Sequence, residues 1–269
     1  MKEVNTPETN NRKTLKKHLL NIQPIPLMHN KLRLMVLWTH KSGCTYLNRW
    51  FFDQIGHLKA AQDYYNVHYY RDEVYFKSNL HEHSVEAFQK YDFDVVKIVR
   101  NPYKRAVSSY IQFLGMVDRK NPVANEFYGG QIPKEGITFN EFLSKLKTKD
   151  IKTCNMHWRV QTHQIERIDL VKVNHLVKLE ESRLGMAKVE RRLNLKHTRP
   201  HKLRKSSHHT VANKKSDDKD KCVGNIKYTF SVSTNRPEYE QFYNENIKKK
   251  VYRIYKEDFR RYRFDIDCI

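Results

Sequence analysis

Two short segments carry the residue types that hold a multiply charged anion. In His40-Lys41-Ser42-Gly43-Cys44-Thr45 a lysine supplies a full positive charge, Ser42 and Thr45 offer hydroxyl donors, and Gly43 lets the backbone come close to a ligand. Where such a segment joins a strand to a helix, the first amides of the helix and its dipole add to the attraction. The second segment is Arg100-Asn101-Pro102-Tyr103-Lys104-Arg105-Ala106-Val107-Ser108-Ser109-Tyr110, in which Ser108 lies two turns into the helix that follows Arg100. The triphosphatase form GxxxxGK[ST] is absent, because the lysine precedes the glycine, and so is GxGxxG. Taken alone, the first loop fits an ordinary strand-to-helix turn with a surface lysine equally well. The second loop shifts the balance towards a ligand, since its arginine follows a strand's carboxyl end, where open α/β sheets bind ligands.

The elements around these loops alternate. Leu32 to Trp38 (LRLMVLW) is a nearly continuous apolar run, the pattern of a strand buried on both faces. After the loop, Leu47, Trp50, Phe51 and Ile55 recur at helical spacing, and Gly56 is placed to end that helix. The unit repeats: Asp94 to Val99 (DVVKIV) is a second buried strand, and Pro102 opens a helix carrying Ala106, Val107, Tyr110 and Leu114. Thr138 with Glu141 makes a capping box, His175 to Leu179 is a third strand, and an amphipathic helix runs from about Ser182 to Leu193. A last helix is expected from about Pro237 to Lys256. Strands alternating with helices predict an α/β chain with a P-loop-like three-layer fold, a central, mainly parallel sheet flanked by helices. Residues 1–30, polar and carrying Pro7, Pro24 and Pro26, read as an extension, 31–269 as the domain, and 196–235 as a basic loop or insertion.

Charge narrows the partner. With 51 Lys and Arg against 30 Asp and Glu, a net charge of +21, the ligand should be anionic: nucleic acid, an anionic surface, an acidic polysaccharide or a polyphosphorylated nucleotide. No helix-turn-helix, RNP or zinc-finger pattern supports nucleic acid, so a nucleic-acid-binding protein rests on charge alone. A P-loop kinase-like phosphotransferase lacks its lysine and metal-binding aspartate signature. Cys44, Cys154, Cys222 and Cys268 fall at unrelated spacings, giving neither a zinc site nor a disulfide framework. No window approaches a membrane span, and the first 30 residues lack the core of a secretion signal. The default expectation is the cytoplasm, or the Golgi lumen if an anchor precedes this sequence.

HKSGCT resembles the PKxGCT loop that holds the 5′-phosphosulfate in membrane-associated, Golgi-type carbohydrate sulfotransferases. RNPYKRAVSSY resembles their R-D-P-x-x-R-L-x-S-x-Y motif, which holds the 3′-phosphate. His157-Trp158-Arg159-Val160-Gln161 is similar to the family's HWxPQ stretch, and Tyr255-Lys256-Glu257-Asp258-Phe259 with Phe264-Asp265 to its terminal Y-x-x-D-F…Y/F-D. His40, Asn101 and Val160 replace the family's proline, aspartate and proline. The resemblance implies an O-sulfotransferase that uses 3′-phosphoadenosine-5′-phosphosulfate (PAPS) and leaves adenosine 3′,5′-bisphosphate. The donor would be bound by His40, Lys41, Ser42, Gly43, Cys44, Thr45, Tyr46, Arg100 and Ser108, and the acceptor would be an anionic glycan.

Lys41 would also serve the chemistry, by neutralising the departing 5′-phosphate. A base must take the acceptor's proton, and histidine suits that task near neutral pH. His81-Glu82-His83 precedes the Arg100 strand by about the interval at which the uronosyl 2-O-sulfotransferases, which this stretch resembles, place a catalytic H-x-H. His83 is therefore the first candidate, with His81 and then His157 behind it. As a metal pair, His81 and His83 lack further ligands, so no metal is expected. Lys104 and Arg105 read as a solvated helix face, Trp158 as core, and Cys44 as a small packing residue.

Overall fold

The computed structural model of the chain describes residues 16, 19–198, 203, 222–228 and 237–269. They fall into two compact units, divided between Val99 and Arg100, between Gln161 and Thr162, and between Ser206 and Ser207. One domain over 31–269 was expected. Among the described residues no helix is long and apolar enough to cross a membrane.

The first unit is built on a four-stranded sheet in the order β1 (Leu27–His29), β2 (Leu34–Leu37), β3 (Asp94–Val99) and β4 (His175–Lys178). β2 pairs with β3 and β3 with β4 in parallel, as the apolar runs predict, while β1 is antiparallel to β2 with Leu27 opposite Val36. All four β2 residues are buried. The strand starts two residues later than its apolar run because Arg33 stands at φ 46°, a left-handed conformation that no strand accepts. Successive side chains serve opposite faces. Leu34, Val36, Val96 and Ile98 pack with Leu47, Trp50 and Phe51 of α1 (Cys44–Gln54) on one side, whereas Met35, Leu37 and Val95 pack with Leu19, Ile22 and Val85 on the other. Val85 belongs to α2 (Asn79–Phe88). Lys97, in the middle of β3 and fully buried, is paired with buried Glu166. The reading of residues 1–30 as an extension is corrected for 19–30, where Leu19, Ile22, Leu27 and Met28 are core and 27–29 form the edge strand; residues 1–15, 17 and 18 lie outside the described residues.

The second unit is helical, with an aromatic interior. α3 (Pro102–Asp118) opens with Pro102 in its first turn and with the Asn101 side chain accepting from Tyr103 N. α4 (Phe139–Lys147) carries the expected capping box of Thr138 and Glu141. Their apolar faces bring Phe113, Phe127, Phe142 and Trp158 together, with the Phe127 and Trp158 rings 4.8 Å apart, and Trp158 is core as read.

In the first unit, α5 (Ser182–Arg192) covers the sheet face that α1 covers, through Met186 and Val189. In the second, the expected closing helix is broken. A single 3₁₀ turn, Glu240–Phe242, gives way to an extended Tyr243, whose hydroxyl donates to Tyr103 O at 2.7 Å. The Asn244 side chain then caps α6 (Glu245–Ile254), and α7 (Lys256–Arg261) follows. The basic 196–235 stretch lies largely outside the described residues. Of its described part, Thr198 accepts from Gln54 Nε2 at 2.8 Å.

Candidate functional site

The chain after β2 adopts an anion-receptive backbone. Lys41 and Gly43 both have positive φ, 64° and 81°. Glycine takes this conformation freely, whereas for lysine it costs about 1–2 kcal/mol, strain of a kind that collects at functional sites. A Cβ at position 43 would also lie 2.6 Å from Leu179 Cδ1, so the end of that side chain would have to shift. Gly43 is also the N-cap of α1 and brings no capping side chain, and the first turn holds no acidic residue. The N–H groups of Cys44, Thr45 and Tyr46 thus have no intrahelical acceptor, at the positive end of an 11-residue helix dipole. Lys41 and Thr45 are partly exposed, and His40, partly exposed, lies against Trp38 with ring centroids 5.1 Å apart. Ser42 is buried. Cys44 packs against the core, as expected, and so does Tyr46, whose hydroxyl burial pushes up to about 12. These two side chains face inward, so any contact they make with an anion is through their amides.

The second loop is organised by its side chains. Arg100 Nη1 donates to Ser108 Oγ at 2.7 Å, so the two residues singled out for one anionic group stand together. Arg100 Nη2 donates to Tyr239 OH at 2.9 Å, and the guanidinium lies 5.0 Å from that ring's centroid. The Arg100 backbone is fixed as well: its N–H donates to Gln161 Oε1 and its carbonyl accepts from Gln161 Nε2, both at 2.8 Å. Gln161 is held in turn by the carboxylate of fully buried Asp258, which accepts from Gln161 N at 2.9 and 3.0 Å. Tyr255 OH donates to Trp158 O at 2.6 Å. The HWxxQ and YxxDF segments are thereby the brace of Arg100. Asn101 Nδ2 and Tyr103 OH tie the helix start to the carbonyls of Cys268 and Ile266.

One reading of α3 is corrected. Lys104 is partly exposed, but Arg105 is buried, with its guanidinium 5.8 Å from the Tyr255 ring centroid. Nearly the whole first half of α3 is covered, so a cation there does not imply a solvated face.

The candidate histidines part company. His81 is buried against Tyr75 and Phe76, with Nε2 at 3.2 Å from Pro26 O, and its pKa is lowered by burial. His83 is exposed on α2. His157 is half-buried, with Nδ1 2.9 Å from Asn155 Oδ1 and its carbonyl accepting from Ser109 Oγ. Sequence reasoning missed His68, whose Nε2 lies 2.9 Å from Thr45 Oγ1, and the Arg71 beside it. Nothing in the spacing of His68 from the loop, 23 residues, signals the contact. Among the described residues no group of three His, Cys, Asp or Glu side chains gathers for a metal.

Comparison with curated proteins and with solved structures gives no significant match. The sequence model of the sulfotransferase family matches residues 27–265, from β1 to the end of the YxxDF…FD segment. That span takes in both loops, the Gln161 brace and the whole sheet, and the chain accordingly belongs to the sulfotransferase family, whose members transfer a sulfuryl group.

Proposed function

We propose that the chain moves the sulfuryl group of PAPS to a hydroxyl of a carbohydrate, preferably an acidic glycan. The observation that carries this reading is the Arg100–Ser108 pair, bonded at 2.7 Å and braced by Tyr239 and Gln161: a cation held ready for a doubly charged phosphate. The donor set suits the nucleotide chemically, with Arg100 and Ser108 for the 3′-phosphate and Lys41, Thr45 and the α1 amides for the 5′-phosphosulfate. In the transfer the acceptor oxygen attacks sulfur, the bond from sulfur to the 5′-phosphate oxygen breaks, and Lys41 balances the charge left on that phosphate. Of the candidate bases His83 is the exposed one and the one we assign. His81 is buried with its Nε2 at a backbone carbonyl, and His157 is the reserve.

The carbohydrate rests on the resemblance of the two loops, and the preference for an acidic one on charge. A net charge of +21 concentrates a polyanion and does little for a neutral phenol. Labelled sulfate from PAPS, offered to a panel of glycans, small phenols and proteins, tests both halves. Transfer to acidic glycans should dominate and fall as salt rises, while equal rates on phenols with none on glycans would overturn the acceptor. Tighter binding of ATP than of adenosine 3′,5′-bisphosphate would instead return the donor to the phosphotransferase reading.

A further inference from the structure

Thr45 is not left to orient itself. His68 Nε2 lies 2.9 Å from Thr45 Oγ1, and on the other side of the ring His68 Nδ1 lies 3.2 Å from Arg71 Nη1. A guanidinium can only donate, so Nδ1 accepts and the single ring proton sits on Nε2. Nε2–H then donates to Thr45 Oγ1. A hydroxyl that accepts on one side gives its own proton elsewhere, and a donor in such a chain is polarised by the links behind it.

Arg71, buried, is fixed on all sides. Its Nε and Nη2 fork onto the Asp72 carboxylate at 2.7 and 2.8 Å, and its plane lies over Trp38 at 3.9 Å. Its Nη1 also reaches Asn48 Oδ1 at 3.4 Å, and Asn48 Nδ2 donates to Cys44 O at 2.6 Å. One guanidinium thus steers two neighbouring residues at the start of α1, Thr45 by its side chain and Cys44 by its carbonyl. The backbone that presents it is unusual. A single helical turn capped by Asn66, Val67–Tyr69, runs into a π-helical segment, Tyr70–Tyr75, closed by Phe76 N–H donating to Arg71 O at 2.9 Å. Such segments are rare and frequent at functional sites.

We propose that His68 and Arg71 are positioning residues that aim the Thr45 hydroxyl, as a strengthened donor, at the sulfuryl-bearing phosphate. This rests on the reading of the 40–45 loop as the 5′-phosphosulfate site. The test sets His68→Phe, His68→Gln, Thr45→Val and the His68→Phe/Thr45→Val double variant beside the wild type, comparing kcat/KM for PAPS and the affinity for adenosine 3′,5′-bisphosphate. Long-range ¹H–¹⁵N correlation of the His68 ring is recorded without ligand. Expected are a loss of about ten-fold in His68→Phe, as for one hydrogen bond to a charged group, recovery in His68→Gln, whose amide can still donate, and no further loss when His68→Phe is added to Thr45→Val. The ring should carry its proton on Nε2. Losses that multiply in the double variant, or a glutamine no better than phenylalanine, would overturn the positioning role. A ring protonated on Nδ1, or on both nitrogens, would overturn the relay itself. Wild-type protein that binds no adenosine 3′,5′-bisphosphate would remove the loop's assignment and the positioning role with it, and the tautomer would still report separately on the relay.

Discussion

In the 40–45 loop the decisive geometry lies in the backbone: Lys41 and Gly43 turn left-handed and the amides of α1 follow at once. In the 100–108 loop it lies in side chains brought from far along the chain. Gln161 holds the Arg100 backbone across 61 positions and Tyr239 its guanidinium across 139, while Asp258 holds Gln161 across 97. Two ways of building an anion-receptive loop follow, one written locally and one distributed. They should fail differently, the first when the backbone is altered in place and the second when a remote side chain is truncated.

The largest effect expected is on turnover, from Lys41→Ala. Loss of a preorganised charge that acts on the transition state costs about 10²–10³-fold in kcat, with a smaller change in affinity for adenosine 3′,5′-bisphosphate. Steady-state kinetics beside calorimetry would show this, and equal losses in both would erase the functional contrast between the loops. Next is affinity: Arg100→Ala should weaken adenosine 3′,5′-bisphosphate roughly ten- to hundred-fold, the worth of about 1.5–3 kcal/mol for a charge-assisted bond. Gln161→Ala, which need not touch the nucleotide, should weaken it in the same direction by less. Binding by Gln161→Ala as tight as wild type would show that the distributed brace is dispensable.

Gly43→Ala probes the local loop. A left-handed alanine costs about 1–2 kcal/mol, and the clash with Leu179 adds to it, so the denaturant midpoint should fall with no catalytic group removed. An unchanged midpoint would mean that the turn tolerates a side chain.

The smallest effect is of pH, on the first unit. Burial lowers the pKa of His29 and His81 below their ordinary value near 6.5. The unfolded chain therefore binds their protons first, and the stability contributed by the neutral folded rings, full above 6.5, is lost as pH falls through the lower folded values. Denaturation curves at pH 7.5 and at pH 5.5 should differ less in His81→Leu than in wild type. The same drop in both would place the acid sensitivity elsewhere.

Much of this was legible because both faces of a parallel sheet are apolar. The runs at 34–37 and 94–99 announce themselves, and the two loops follow them; the edge strand at 175–178 is buried on one face only, with Leu176 exposed, and carries a weaker signal. β1 was hidden because three residues after Pro24 and Pro26 are too few to show a period. Arg105 was misread because its charge suggested water, whereas α3 is covered on nearly every side. His68 and Arg71 gave no signal, since a contact made through a π-helical segment has no regular spacing in sequence. The HWxxQ and YxxDF segments were recognised as resemblances, but their work is hydrogen bonding to one another and to Arg100 over distances in sequence that no local pattern encodes.

Lys97 carries a consequence for how the sheet finds its alignment. In β3, Val95, Val96, Ile98 and Val99 make both faces apolar, so sliding the strand by one residue would exchange one greasy surface for another at little cost. A lysine in the middle removes that degeneracy. Its ammonium must meet the Glu166 carboxylate, and a one-residue slip would turn it to the opposite face, stranding two charges in hydrocarbon. The buried pair acts as an alignment key: it adds little net stability and makes the misaligned sheets expensive.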